Sequence, residues 1–198
     1  MTVSLMRSGL FRTLPSWRND KGVAAVEFAL ILPVALLILG LVVYGGQIFR
    51  VQRKVTLAAK TVADLVAQGN NTGSATITAA EFNQILSYPS LILFPNDPSV
   101  VQVVVSQLSV TVGSSGAATG TVVGSWANAN GTPRTVGQQL SVDPDIAAAF
   151  TGAASSYVVL GEVQYPFQPY GVSYSLPPVT LHDSIMMIPR TAAEITIQ

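Results

Sequence analysis

Three rhythms of hydrophobic and polar positions follow one another along this chain. Residues 28–49, FALILPVALLILGLVVYGGQIF, pass 22 positions without a charge. As a helix rising about 1.5 Å per residue such a run spans roughly 33 Å, which matches a bilayer hydrocarbon core of about 30 Å. A buried core helix gives the same signal, but a domain of this size rarely has enough apolar surface to surround one on every side. A membrane helix is therefore expected over residues 23–49. Pro33 lies a turn and a half into the uncharged run. It removes one backbone hydrogen bond and predicts a gentle kink, which membrane helices tolerate better than soluble ones.

From residue 50 the apolar positions narrow to one face. Val51, Val55, Ala58, Val62, Leu65 and Val66 recur at helical spacing, with Arg50, Arg53, Lys54 and Lys60 gathered opposite. This predicts an amphipathic stalk over residues 50–69, one side covered by a domain and the other meeting headgroups, acidic neighbours or solvent. Gly69-Asn70-Asn71-Thr72-Gly73-Ser74 ends it with residues that favour turns. A single helix from about Ala24 to Gln68 would be near 67 Å long, at about 1.5 Å per residue.

Past the stalk the period changes to two. Strands are expected at residues 100–112, 119–126 and 157–165, with shorter pieces near 172–174 and 184–188. Gly113-Ser114-Ser115-Gly116 is a hairpin turn between the first two. Thr78-Ala79-Ala80-Glu81 opens a helix into Phe82, Ile85 and Leu86, and Pro144 starts a short helix within residues 143–150. The fold class expected is α+β: a long amino-terminal helix packed on a small antiparallel sheet, with residues 70–198 as the domain. Cut from its stalk, residues 75–198 should be soluble but less stable, because the Val51–Val66 face would be missing.

Composition supports an anchored chain. Of 198 residues, charged ones make up 10% and apolar ones 49%, with a mean hydropathy of +0.47, unlike a disordered chain or an ordinary cytosolic surface. Eight of the ten basic residues lie in the first sixty positions, and only Arg134 and Arg190 follow. The distal part is acidic and offers no basic patch for phosphates, so nucleic acid is not a partner. Cysteine is absent, which excludes disulfides, thiolate metal sites and cysteine nucleophiles. Four basic residues on each side of the apolar run leave the positive-inside count tied. Size decides instead: the short tail of residues 1–22 is expected in the cytoplasm and the domain across the membrane.

The junction ahead of the apolar run reads Arg18-Asn19-Asp20-Lys21-Gly22-Val23-Ala24-Ala25-Val26-Glu27-Phe28. A glycine after a basic residue, four small apolar residues, one acid and an aromatic then lead into the uncharged segment. This resembles the processing site of type IV prepilins. The resemblance implies a cytoplasmic leader of residues 1–22, removed by a prepilin peptidase between Gly22 and Val23, with Glu27 as the fifth mature residue. Glycine suits an extended backbone in a protease cleft. A carboxylate near an apolar boundary is costly unless paired, and the new ammonium of a neighbouring subunit would pair with Glu27 and set the register of assembly, with Phe28 beside it. Taken alone, Glu27 is also an ordinary acid in a first helical turn, favoured by the helix dipole.

Near the other end, Val163-Gln164-Tyr165-Pro166-Phe167-Gln168-Pro169 is followed about twenty residues later by Ile188-Pro189-Arg190. Together with the anchor and stalk, this is similar to TadE-like pseudopilins of tight-adherence (Tad, Flp-type) pili. Residues 70–155 carry no such likeness. The family implies a minor pilin that acts in pilus assembly and surface adherence and packs with other pilin subunits of its filament. It would sit in bacterial inner-membrane lipid before assembly and at the cell surface after it; a major Flp pilin would be far shorter. The alternative is a single-pass anchored binding or adhesion module that is neither processed nor polymerised.

Other chemistry is thin. His182 is the only histidine, and His182-Asp183 reads as an ordinary strand or loop pair rather than part of a triad. Asp143-Pro144-Asp145 lacks calcium-loop spacing, and no metal, cofactor or catalytic residue is expected. Asn70-Asn71-Thr72 and Asn130-Gly131-Thr132 fit the glycosylation pattern, relevant only in a host with that machinery. An acid-free, serine-containing stretch with Arg7, Arg12 and Arg18 has the bias of a mitochondrial presequence. A secretory signal would need cleavage near Gly45 or Gly46, where the apolar run instead continues into more helix.

Overall fold

The computed structural model describes residues 20–69, 76–113, 117–150, 156–168, 177–190 and 194–198. Most of the expected leader, most of the turn after Gly69 with its Asn70 glycosylation pattern, the centre of the 113–116 turn, Pro169 and the strand expected at 172–174 lie outside these residues. The chain divides into two compact units, Met1–Val43 and Tyr44–Gln198.

The first element, α1 (Asp20–Gln68), is one helix that runs through Pro33. It ends where Gly69 takes φ 74°, a left-handed conformation glycine adopts without a Cβ clash, and donates its N–H to Val66 O at 3.1 Å. After β1 (Thr76–Ile77) comes α2 (Ala79–Leu93). Its start is the expected capping box: Thr78 Oγ1 accepts from Glu81 N, and the Glu81 carboxylate accepts from Thr78 N at 3.0 Å. The bond from Thr78 N, and a second that Thr78 Oγ1 donates to the same carboxylate at 2.9 Å, hold the Glu81 carboxyl below the ordinary carboxylate range.

The strands β2 (Gln102–Val112), β3 (Ala118–Ala127), β4 (Gln139–Ser141), β5 (Ser156–Phe167) and β6 (Val179–Met187) form one antiparallel sheet in the order β4-β3-β2-β5-β6. The short helix α3 (Pro144–Ala149) starts at Pro144 as expected, with Asp143 as its cap. Strand β7 (Thr196–Ile197) pairs in parallel with β1, and Gln198 O accepts from Ala79 N, so the carboxy terminus is tied to the start of α2. The buried Gln107 side chain, oriented with its nitrogen on Ile195 O (2.8 Å) and its oxygen on Ile195 N (2.9 Å), pins the same segment to the sheet.

Alternation assigns the two faces of the sheet. Val103, Val105, Val159 and Val163 point to the principal core, where they meet Val51, Val55, Ala58, Ala59, Val62 and Val66 of α1 and Phe82, Ile85, Leu86 and Leu93 of α2. Phe82 and Trp126 pack edge to face at 5.7 Å. On the other face Leu108, Val122 and Leu160, and beside them Val110, Val142 and Val158, form two small clusters capped by residues from β4 and α3.

The stalk is a wall of the core. Val51, Val55, Ala58, Val62 and Val66 are buried as expected, Leu65 only partly, and Ala59, Ala63 and Ala67 join them. A Cβ added at Gly161 of β5 would stand 2.9 Å from Ala63 Cβ and 3.0 Å from Ala59 O. Small residues on both sides thus let the helix approach the sheet closely at this crossing.

Two expectations need correction. Lys54 does not belong wholly to the outer basic face: it is half-buried and donates from Nζ to Phe94 O at 2.5 Å. The last strand, expected at 184–188, begins at Val179. Its inward positions are Val179, Leu181, Asp183, Ile185 and Met187, and the acid in the middle breaks the alternation. Thr56 Oγ1 on α1 donates to Asp183 Oδ2 in a short hydrogen bond, and Gln52 Nε2 donates to His182 O at 3.2 Å. Thr56 and the N–H of Ser184, which donates to Asp183 Oδ1 at 2.8 Å, satisfy an acid whose inward place the local pattern could not explain.

Candidate functional site

Every residue from 22 to 43 is exposed. Fifteen large apolar side chains between Val23 and Phe49 are uncovered, among them Val26 at 61%, Leu30 at 71% and Val42 at 66%. Their positions go round the full circumference of the helix, so no single face explains them. Uncharged, long enough to span and with none of its most apolar window buried by its own chain, the segment fits a single-pass membrane anchor.

Gly22, Val23, Glu27, Phe28 and Pro33 all lie on this helix. Gly22 and Val23 fall in the first turn of α1, which begins at Asp20 rather than near Ala24. Cleavage between them therefore needs that turn to open, and glycine there weakens it by up to about 1 kcal/mol relative to alanine. Glu27 stands one turn beyond Val23, on the same face. Its neighbour Phe28 is 64% exposed. Among the described residues the ion pairs are Arg134–Glu162 and Arg190–Asp64, with the His182 imidazole 3.8 Å from Glu162, and none involves Glu27. Pro33 is inside the helix as anticipated.

The folded unit carries a second polar constellation that the sequence did not announce. Arg134, on the loop after β3, donates to both Glu162 carboxylate oxygens of β5, from Nε at 2.6 Å and from Nη2 at 2.7 Å. Its pKa is raised, chiefly by this hydrogen bonding. His182 Nε2 stands 3.8 Å from Glu162 Oε1, and Gln102, Gln164 and Thr132 complete a shallow groove of about 290 Å³ on the sheet face away from α1. Asp183 points to the opposite face, to Thr56, so the adjacent His182 and Asp183 do not act together.

A signal for this pair did exist. Arg134 and Arg190 are the only basic residues after Lys60, and each finds an acid, Glu162 and Asp64 respectively. Which acid each takes is invisible locally, since the partners lie 28 and 126 positions away. Asn130 of the second glycosylation pattern is engaged, donating from Nδ2 to Ser99 O and Val101 O.

A family model described as TadE-like protein matches residues 22–64, the anchor and most of the stalk. No curated protein and no solved structure matches the chain.

Proposed function

From this TadE-like segment at residues 22–64 we propose that the chain is a minor pilin of a Tad (Flp-type) pilus, cut by a prepilin peptidase between Gly22 and Val23 and then packed with other pilin subunits through its anchor. The observation that carries the reading is a segment, residues 23–49, apolar on all sides with Glu27 as its one acid. Lipid covers such a surface before assembly, and neighbouring helices cover it afterwards. Gly40, Gly45 and Gly46 support this: a Cβ at any of them would meet nothing in its own chain, yet each costs about 1 kcal/mol in a helix relative to alanine. Small residues at those positions suit close approach by another helix.

Removal of residues 1–22 makes Val23 the first residue of α1 and puts Glu27 in its opening region. The new ammonium of one subunit then pairs with Glu27 of its neighbour, which offsets the cost of a carboxylate at an apolar boundary. The amino terminus is cytoplasmic and the folded unit periplasmic before assembly, at the cell surface after it. There the folded unit serves assembly and adherence.

Intact mass of the membrane-extracted protein from a host with the matching peptidase should show loss of residues 1–22. An uncleaved Met1 terminus would overturn processing. Glu27→Ala should abolish assembly into pili while membrane insertion persists. One observation favours the second reading, an anchored adhesion module that is never cut: Gly22 and Val23 lie within a helical turn. Unchanged pilus formation and surface attachment by the Glu27→Ala protein would decide for that module.

A further inference from the structure

At the end of the folded unit where the uncharged run stops, apolar and basic groups converge. The last turn of α2 splits its large side chains: Leu93 is fully buried, while Leu91 is 71% and Phe94 73% exposed. The Lys54 ammonium holds this loop to α1 through Phe94 O. Beside it lies a groove of about 340 Å³ lined by Gln47, Arg50, Val51, Lys54, Pro95, Asn96 and Phe167, with two cations and no acid among its lining residues. Among the described residues Arg50 bonds within its own helix, from Nε to Gly46 O at 3.2 Å, and Lys54 has two further N–H donors besides the one on Phe94 O. The nearby Asp97 is turned away into a cap, accepting from Ser99 N at 2.9 Å. Arg53 lays its guanidinium over the Phe49 ring at 4.6 Å, an arrangement that suits an aromatic at a membrane interface with a snorkelling cation.

We infer that this end of the folded unit is a membrane-surface site, in which Arg50 and Lys54 seat the phosphate of an anionic phospholipid headgroup while Leu91 and Phe94 enter the interface. It rests on the reading of residues 28–49 as a membrane anchor. Height along the helix agrees: Lys54 follows Phe49 by five residues, about 7.5 Å of rise. The headgroup layer on each side of the hydrocarbon core is about 5–7 Å thick, so a loop tied at Lys54 stands at headgroup level. Charge agrees as well, since three cations and two exposed apolar side chains match an anionic interface better than water. The site holds the folded unit down on the membrane before assembly, and leaving it accompanies entry into a filament.

The chain has no cysteine, so single cysteines carrying an environment-sensitive fluorophore can be read in the full chain in nanodiscs. Three positions suffice, made by Leu91→Cys, Leu37→Cys and Val136→Cys. With phosphatidylglycerol present, the label at 91 should shift to the blue and resist an aqueous quencher, less so in pure phosphatidylcholine, while the label at 136 stays in water. Neutralising Arg50→Gln and Lys54→Gln together should lower the docked-to-free ratio about thirtyfold, the effect of two cations beside an anionic leaflet. Arg50→Gln alone, whose guanidinium bonds to Gly46 O of its own helix, should show part of that loss at an unchanged melting temperature.

A label at 91 in water while that at 37 is in lipid overturns this site and leaves the anchor standing. A label at 37 in water overturns the anchor and this site with it. Shielding indifferent to phosphatidylglycerol and to both substitutions removes the headgroup. Shielding seen only in lipid-free multimers assigns the surface to a second copy, and that too overturns the proposal.

Discussion

Two halves of one helix meet opposite fates. Residues 22–43 expose every side chain, whereas Val55, Ala58, Ala59, Val62 and Ala63 expose nothing. Both halves are helical and both are rich in apolar residues, so helix formation does not distinguish them. The difference lies in what surrounds them. The second half gathers all its large apolar residues but Leu57 on one stripe, and the chain supplies a sheet to cover that stripe. The first half is apolar on every side, and none of the described residues buries it. Burial by one's own domain and burial by something else thus leave different patterns on the same secondary structure: a stripe of period 3.6 in one case, a full circumference in the other.

The strongest way to break this comparison is the same substitution in each half. Val62→Arg puts a guanidinium into the dry contact between α1 and the sheet, at a cost of more than about 3–5 kcal/mol for an unpaired buried charge. The folded unit should then lose its cooperative melt. Ile38→Arg, at a position 55% exposed, should leave that melt unchanged in detergent. It should instead cost about 2.5–3.5 kcal/mol of membrane insertion, read as the fraction resisting carbonate extraction. Equal loss of melting temperature in the two proteins would abolish the distinction.

Next in size is the close crossing of helix and sheet. Gly161→Val should destabilise the folded unit by about 3 kcal/mol through overpacking, and adding Ala63→Gly should recover part of the lost melting temperature. No recovery would mean that the strain is released elsewhere.

The two arginines of the folded unit give a smaller contrast. Arg134→Ala leaves Glu162, whose side chain is 11% exposed, without its two-point partner, and should cost about 2 kcal/mol in a urea midpoint comparison. Arg190→Ala removes a pair with both members exposed, 63% and 37%, and should cost about 0–1 kcal/mol. Equal costs would show that burial does not set the worth of these pairs.

The smallest expected effect is the pH response of the α2 cap. The Glu81 carboxyl titrates lower in the folded protein than in the unfolded chain, so the folded state binds that proton less readily. Its contribution is present above the unfolded value and is lost as pH falls through the folded one. Protection of the Thr78 amide, measured relative to its intrinsic exchange rate at each pH, should therefore fall in acid, and Glu81→Gln should flatten the dependence. An unchanged profile in that protein would assign the acid effect to another carboxylate.

What the sequence determined by itself was whatever a local pattern encodes. An uncharged run long enough to span, a stripe at helical spacing, a capping box at Thr78 and Glu81, and period-two strands each follow from neighbours within a few residues, and together they give the α+β class. Tertiary structure decided the rest. The inward Asp183 became intelligible only when Thr56 was found across from it, 127 positions away. The glycine at 161 gained its reason from Ala59 and Ala63. Arg134 chose Glu162 among the eight acids beyond Lys60. The exposure of Leu91 and Phe94 was set by the end of α2, where Lys54 holds the Phe94 carbonyl. Each of these depends on which surfaces the chain brings together, and a contact between distant residues leaves no periodic trace in either of them.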